Sequence, residues 1–364
     1  MTTLALLLLA LPAAARPQQD FDLTPLSREA LAAADNGLQW LMRTQDPDGA
    51  WRADIGYKLE EGYQTWNENS EHVGVTALAG MAFLAGGHVP GRGPYGPVVE
   101  RALDWLLKQV REDGYITANE SRMYSHAFAS LFLAEVYGLS EREDVRPALQ
   151  RAVDLIVASQ NSDGGWRYQP HVADADMSVS ACQVMALRAA RNIGIQVPVN
   201  TIERAVDYVR KSAVSPDDPS VNFHWGNKPG AFRYQPEQNS RASFALTAAG
   251  ITILHGAGVY ADEIIERGLR RLEEDLGGFT RVHGNAGKGH YFFYYGHYYA
   301  VQAFHIAGGE RYRHYLDVIQ RELLAMQSPD GSFPNKVGPG PAYGTATACL
   351  ILQMPKEYLP IFQR

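Results

Sequence analysis

The amino-acid sequence predicts an all-α protein folded as an (α/α)6 toroid, a double ring of six outer and six inner helices. Three observations predict it. First, one unit recurs six times between residues 28 and 353: an amphipathic helix, a Gly-rich or Asp-Gly turn, and a second helix rich in Ala, Gly, Ser and Thr. Second, the first helices carry charges such as Arg28-Glu29, Glu100-Arg101, Glu203-Arg204 and Arg270-Arg271, so one face meets water. The second helices carry few charges and belong inside. Third, a repeat of roughly 50–60 residues built from helix pairs buries its apolar faces on its neighbours. Six such pairs close naturally into a ring; an open solenoid is the alternative, and no internal capping pattern favours it.

Residues 1–15 read as a signal peptide, with an apolar run from Leu4 to Leu11 and small residues at Ala13-Ala14-Ala15. The run is too short to span a membrane, and no other apolar stretch is long enough. The expectation is an exported protein, periplasmic or extracellular; a buried N-terminal helix is the alternative. Residues 16–27 form a short linker, and residues 28–364 a single toroid. The net charge of −7 and the lack of a basic run argue against a nucleic-acid partner.

The units follow in order. Unit one has a first helix at Arg28–Thr44, the turn Gln45–Trp51, a longer loop, and a second helix at His72–Ala85. Unit two has Val98–Val110, a turn at Asp113-Gly114, and Tyr124–Tyr137. Unit three has Arg146–Ser159, the turn Gln160–Trp166, and a helix opening at Asp174–Ser178 and ending near Ile193. Unit four has Thr201–Ser212, a long loop, and Arg241–His255. Unit five has Asp262–Asp275, a Gly-rich loop from Gly277 to Gly289, and Tyr291–Ala307. Unit six has Arg311–Met326, the turn Gln327–Phe333, and Tyr343–Gln353. Cys182 and Cys349 fall on second helices of units three and six, opposite one another in a closed ring, so both are expected to be free.

Several second helices start with polar or aromatic residues: His72, Tyr124 and His126, Asp174 and Asp176, Arg241, Tyr295 and His297, and Tyr343. In a toroid these starts converge on one end, where convergent polar groups over an apolar wall predict a pocket. Asp174 and Asp176 diverge by about 200° on a helix, one pointing inward and one along the rim. An acid protonates a poor base only when it is itself neutral, and desolvation or a neighbouring carboxylate favours that. A helix cap beside a dipole-friendly acid is the simpler explanation of the same pair.

The loops are dense in aromatics, among them Tyr63, Trp66, Tyr168, Phe223, Trp225, Phe232 and Tyr234. Ring faces stabilise cations, stack on sugars or fill interfaces. Trp51, Trp166 and Phe333, inside the recurring turn, are read as structural. His283, His290 and His297 recur every seven residues without a metal-ligand spacing, so neither a metal nor another cofactor is expected.

The recurring Gln-x-x-Asp-Gly-x-Trp signal resembles the Gln–Trp repeat of squalene and oxidosqualene cyclases. It is complete at Gln45–Trp51, has one additional Gly at Gln160–Trp166, and ends in Phe at Gln327–Phe333. Over most of residues 28–353 the chain is similar to the prenyltransferase and squalene-cyclase repeat superfamily, which implies the toroid. Asp174-Ala-Asp176-Met177-Ser178 is similar to the Asp-x-Asp-Asp motif of class II terpene cyclases, whose central acid protonates an alkene or epoxide. Asp176 matches that central acid, Asp174 the first, and Met177 replaces the last. Family cyclases pair two toroids, whereas this chain has one. The zinc-binding Asp-x-Cys of prenyltransferase β subunits is replaced by Arg241-Ala-Ser-Phe.

The resemblance implies a terpene-cyclase-like enzyme in which Asp176 donates a proton to an isoprenoid and aromatics stabilise the cation; like-charge repulsion from Asp174 is expected to tune the acid. Two other functions fit the residues. One is a non-catalytic ligand-binding or scaffold toroid. The other is a carbohydrate-active lyase or hydrolase in which Arg241, His126 or Tyr295 acts on an acidic sugar.

Overall fold

The computed structural model describes residues 27–363 apart from 59–61, 141, 223–225 and 238. The expected signal peptide, most of the linker, Phe223 and Trp225 lie outside the described residues.

Among the described residues twelve α-helices alternate between two rings. The inner ring is α2 (Val73–Ala85), α4 (Met123–Leu139), α6 (Met177–Asn192), α8 (Phe244–Gly256), α10 (Tyr291–Ala307) and α12 (Pro341–Gln353). Each packs on the next, and α12 returns to α2, so the ring is closed. The outer ring is α1 (Arg28–Thr44), α3 (Gly96–Lys108), α5 (Val145–Ala158), α7 (Val199–Ser212), α9 (Glu263–His283) and α11 (Gly309–Met326).

The chemistry of each helix selects its ring. Every residue of α2 is buried, as the absence of charge in Val73–Ala85 demands. In α7 the buried residues Ile202, Ala205, Val206 and Val209 recur at three- and four-residue spacing, while Glu203, Arg210 and Lys211 face outward.

The recurring turn joins neighbouring units. Gln45 Nε2 donates to Gly49 O in its own turn at 3.0 Å and to Val98 O on the next outer helix at 2.9 Å. Gln160 does the same with Gly164 O and Thr201 O. Gln327 bonds Gly331 O at 3.0 Å and Ala33 O at 2.8 Å, so the last unit is tied to the first by the bond that ties the others. Gly49 has φ +109°, and a Cβ there would overlap the Arg101 carbonyl. The tryptophans are internal: Trp51 and Trp166 are fully buried, and each indole N–H donates to a carbonyl of its own outer helix, Leu41 O at 2.9 Å and Ile156 O at 2.7 Å.

Two segments differ from expectation. The longer loop of unit one is an antiparallel hairpin, β1 (Arg52–Lys58) with β2 (Tyr63–Glu71), irregular around Ile55. Its signal was the alternation Ala53, Ile55 pointing in and Arg52, Asp54 pointing out. In unit five, α9 runs on through Gly277-Gly278 to His283, so the loop begins only at Gly284. The helix continues because Phe279 docks: its ring stacks on Phe244 with centroids 4.3 Å apart. That contact offsets the roughly 1 kcal/mol cost of each helical Gly.

A second short pair, β3 (Phe232–Arg233) with β4 (Ala242–Ser243), leads into α8. After α12 the chain makes 3-10 turns at Met354–Lys356 and Pro360–Phe362, the latter packing on α6. Cys182 and Cys349 are both buried and free, on the opposed helices α6 and α12. Among the described residues no helix is long and apolar enough to cross a membrane.

Candidate functional site

A cavity of about 180 Å³ opens where inner helices start. Its walls come from α2, α4, α10 and α12, notably Val75, Tyr124, Phe128, Tyr295, Tyr298 and Tyr343. The β1–β2 hairpin adds Ile55, Tyr57, Lys58, Tyr63 and Trp66, and Tyr168 enters from the turn of unit three. Three hydrogen bonds to two neighbours, Asn119 and Pro339, hold the hairpin over the ring. Asn67 Nδ2 donates to Asn119 O at 2.8 Å, Asn119 Nδ2 donates to Glu71 O at 3.0 Å, and Asp54 N donates to Pro339 O at 2.8 Å.

Asp176 lies behind this wall, fully buried. Its position follows from the repeat: it is the N-cap of α6, as His72, Arg122, Ser243, His290 and Gly340 are of the other inner helices. One carboxylate oxygen accepts from Val179 N at 3.0 Å and from the Ser178 hydroxyl at 2.5 Å. The other accepts from Arg167 Nη1 at 3.0 Å. Ser178 Oγ in turn accepts from the Tyr124 hydroxyl at 2.5 Å. Tyr124 lines the cavity, so a line of three hydrogen-bonded groups runs from the buried acid to the pocket. Arg167 also reaches Tyr234, whose hydroxyl is 2.6 Å from that of Tyr168.

Burial raises the pKa of Asp176, against the opposing pull of Ser178, Val179 N, Arg167 and Lys58. The expected tuning by Asp174 takes a different form. Asp174 has a side chain 59% exposed, bonds Gln235 at 2.9 Å, and meets the far side of Arg167 at 3.3 Å. A guanidinium therefore stands between the two acids, and desolvation rather than like-charge repulsion raises Asp176.

Of the other residues singled out in the sequence, His72, Tyr124, Tyr295 and Tyr343 meet at the cavity. His72 also accepts from Val75 N, and burial pushes its pKa down to about 4, so it is neutral at pH 7. Among the described residues the Tyr295 hydroxyl has no hydrogen-bond partner. His126 and His297 do not line the cavity. His126 Nδ1 accepts from Ile116 N at 3.1 Å, doing for unit two what the Thr76 and Ser180 hydroxyls do for Trp51 N and Trp166 N. His297 lies between the hydroxyls of Thr280 and Tyr315. Arg241 is exposed beside β4, outside the cavity wall.

Sequence reasoning passed over Lys58, Arg122 and Arg167, and took Ser178 as part of the helix start without a role beside Asp176. Two had a readable signal: Arg167 follows the turn tryptophan directly, and Arg122 stands four residues before His126, as Asp176 stands four before Ser180. Lys58 depends on the hairpin, which helix periodicity does not reveal.

No family model and no curated protein matches the chain. Solved structures do match it, at low identity. The GH76A α-1,6-mannanase of Salegentibacter sp. HEL1_6 superposes with TM-score 0.62 at 9% identity, over 90% of this chain and 99% of that one. The type II terpene cyclase MstE of Scytonema superposes with TM-score 0.54 at 16% identity, over 91% and 99%. An α-amylase of Clostridium perfringens superposes with TM-score 0.58 at 10% identity, over 88% and 97%. The chain thus has the toroid of terpene cyclases and of several glycoside hydrolases.

Proposed function

We propose that the protein binds an apolar small molecule of the isoprenoid class in the aromatic pocket and delivers a proton to it from Asp176, as in acid-initiated cyclisation or isomerisation. The observation that carries this reading is the line Asp176–Ser178–Tyr124 ending on the pocket wall. With Asp176 ionised, Tyr124 donates to Ser178 and Ser178 to the carboxylate. With Asp176 neutral, its O–H donates to Ser178, whose hydroxyl turns to donate to Tyr124. The Tyr124 hydroxyl is then free to donate into the cavity. Proton loss to a substrate alkene there is made good along the line, and Asp176 ends as the carboxylate that Arg167 stabilises. Burial, which favours the neutral acid, makes the starting state accessible.

The cavity is close in size to the roughly 150 Å³ apolar cavity that holds one benzene. It suits one ring or the end of a prenyl chain, not an entire long polyprene. Among the described residues no carboxylate lines it, so the two-carboxylate chemistry of glycoside hydrolysis has no support at this wall.

A second reading, ligand binding without turnover, is favoured by one observation. Ring faces that would stabilise a substrate cation already carry the protein's own cations: Arg122 over Trp66 at 4.3 Å and Arg167 over Tyr168 at 4.7 Å. Asp176→Asn separates the two readings, because Asn still caps a helix but has no acidic proton. Turnover of prenyl substrates is expected to fall by about 10²–10⁴ with ligand affinity retained. Wild-type protein that binds prenyl compounds and turns none over would leave the binding reading. Export, proposed from residues 1–15, is tested by the N-terminal residue of the mature protein in a cell fractionation; recovery of the intact chain from the cytoplasm would refute it.

A further inference from the structure

We infer that the ligand of this pocket carries an anionic group, a carboxylate or a phosphate, which Lys58 and Arg122 bind while the aromatic wall takes the apolar part. This deepens the reading of the pocket as a ligand site and rests on it. Lys58 comes from the hairpin, and its ammonium lies over two rings, 4.8 Å from the centroid of Phe292 and 5.3 Å from that of Tyr234. Arg122 comes from the start of α4, and its guanidinium is stacked over Trp66. Both line the cavity, and among the described residues neither makes an ion pair.

The neighbouring charges show why this matters. Arg167 contacts both Asp174 and Asp176, so these two acids are engaged by a cation outside the wall. Lys58 feels Asp176 only at a distance and is opposed by Arg167 and Arg241. Two cations therefore face a largely apolar space in which every described lining residue is neutral or basic. A partly desolvated charge without a counter-charge is costly, and ring faces compensate only in part. The desolvation that pushes the lysine pKa down is the measure of that cost. A ligand anion removes it, and an amphipathic anion also covers the aromatic wall.

A neutral hydrocarbon would leave both charges without a counter-charge. A cation formed on the substrate by proton delivery would be repelled by them unless the ligand's own anion offsets their charge. Only an anion gains from Lys58 and Arg122 together.

The test is isothermal titration of the full-length protein with geranic acid, geranyl phosphate and geraniol, ten-carbon probes chosen for the cavity size. Alongside them run 2-naphthoate and 2-naphthamide, an aromatic pair with no prenyl chain. Geranic acid or geranyl phosphate is expected to bind at least about tenfold more tightly than geraniol, and the better of the two identifies the headgroup. K58M should remove that preference, and K58R should restore it. Melting curves of both variants show whether the fold is kept. Binding of geraniol by wild type as tight as that of both geranic acid and geranyl phosphate, or a preference that survives K58M, overturns the inference and leaves the isoprenoid reading standing. A Lys58-dependent preference for 2-naphthoate over 2-naphthamide, with no geranyl probe bound, upholds the anion site and sinks the isoprenoid reading. Failure of both pairs overturns both.

Discussion

Asp176 and Ser243 occupy the same place in two repeats, and the difference between them is instructive. Each caps an inner helix, Asp176 through Val179 N and Ser243 through Leu246 N. Four residues on, each helix carries a hydroxyl that takes the N–H of the turn aromatic: Ser180 for Trp166 and Thr247 for Phe232. The frameworks coincide, yet Ser243 is exposed and makes a cap alone, while Asp176 is buried and gathers Ser178 and Arg167 as well. The cap accounts for a short polar residue at this position. It does not account for an acid with three donors. What exceeds the repeat is where the site lies.

Several measurements can break or sharpen that comparison. The largest effect belongs to the shared framework. Trp166→Ala should cost about 3–5 kcal/mol in denaturant unfolding, the usual loss for a buried large aromatic. A loss below about 1 kcal/mol would mean the turn does not hold the units together.

A second buried acid tests the role of donors from the other side. Among the described residues Glu135 on α4 has only Ile361 N at 3.5 Å and the field of Arg188, and burial pushes its pKa up to about 8. A folded-state pKa above the unfolded value of about 4.3 means stability that is full below pH 4.3 and lost as pH rises through about 8. Glu135→Gln should flatten the stability profile between those limits, with a gain of a few kcal/mol over wild type above pH 8. Parallel profiles for the two proteins would show that Glu135 ionises normally.

Next comes the pair of caps. Ser243→Ala should cost about 1 kcal/mol, and Asp176→Ala at least about twice that, because Arg167 loses its buried partner. Equal losses, read from melting temperatures and denaturant midpoints, would reduce Asp176 to a cap. The smallest effect is expected from Gln327→Ala, about 1 kcal/mol, for two bonds to partly buried carbonyls.

The ring was legible in the sequence because it is repetitive. Charge on Arg28–Thr44 and its absence from Val73–Ala85 separate outer from inner helices, and the Gln-x-x-Asp-Gly turn punctuates three units. The position of Asp176 was legible for the same reason. Its partners were not: Arg167 reaches it only because the turn of unit three folds back on Asp176, and Tyr124 reaches Ser178 only when α4 lies beside α6. His126 looked like a pocket residue because type and rough position cannot tell a ligand from a substitute for a repeat hydroxyl. The hairpin was hidden by its short alternation, and with it went Lys58.

The bond from Gln327 to Ala33 gives the molecule a topological property that open repeat proteins lack. In a linear array the end units have one neighbour and fray first. Here α12 meets both α1 and α2, so each unit has a neighbour on either side and none is terminal. Loosening one unit exposes the flanks of two others, which makes partial unfolding expensive wherever it begins. The toroid should therefore melt in one step, with calorimetric and van't Hoff enthalpies in agreement, and excision of a whole unit should abolish the fold rather than shorten it.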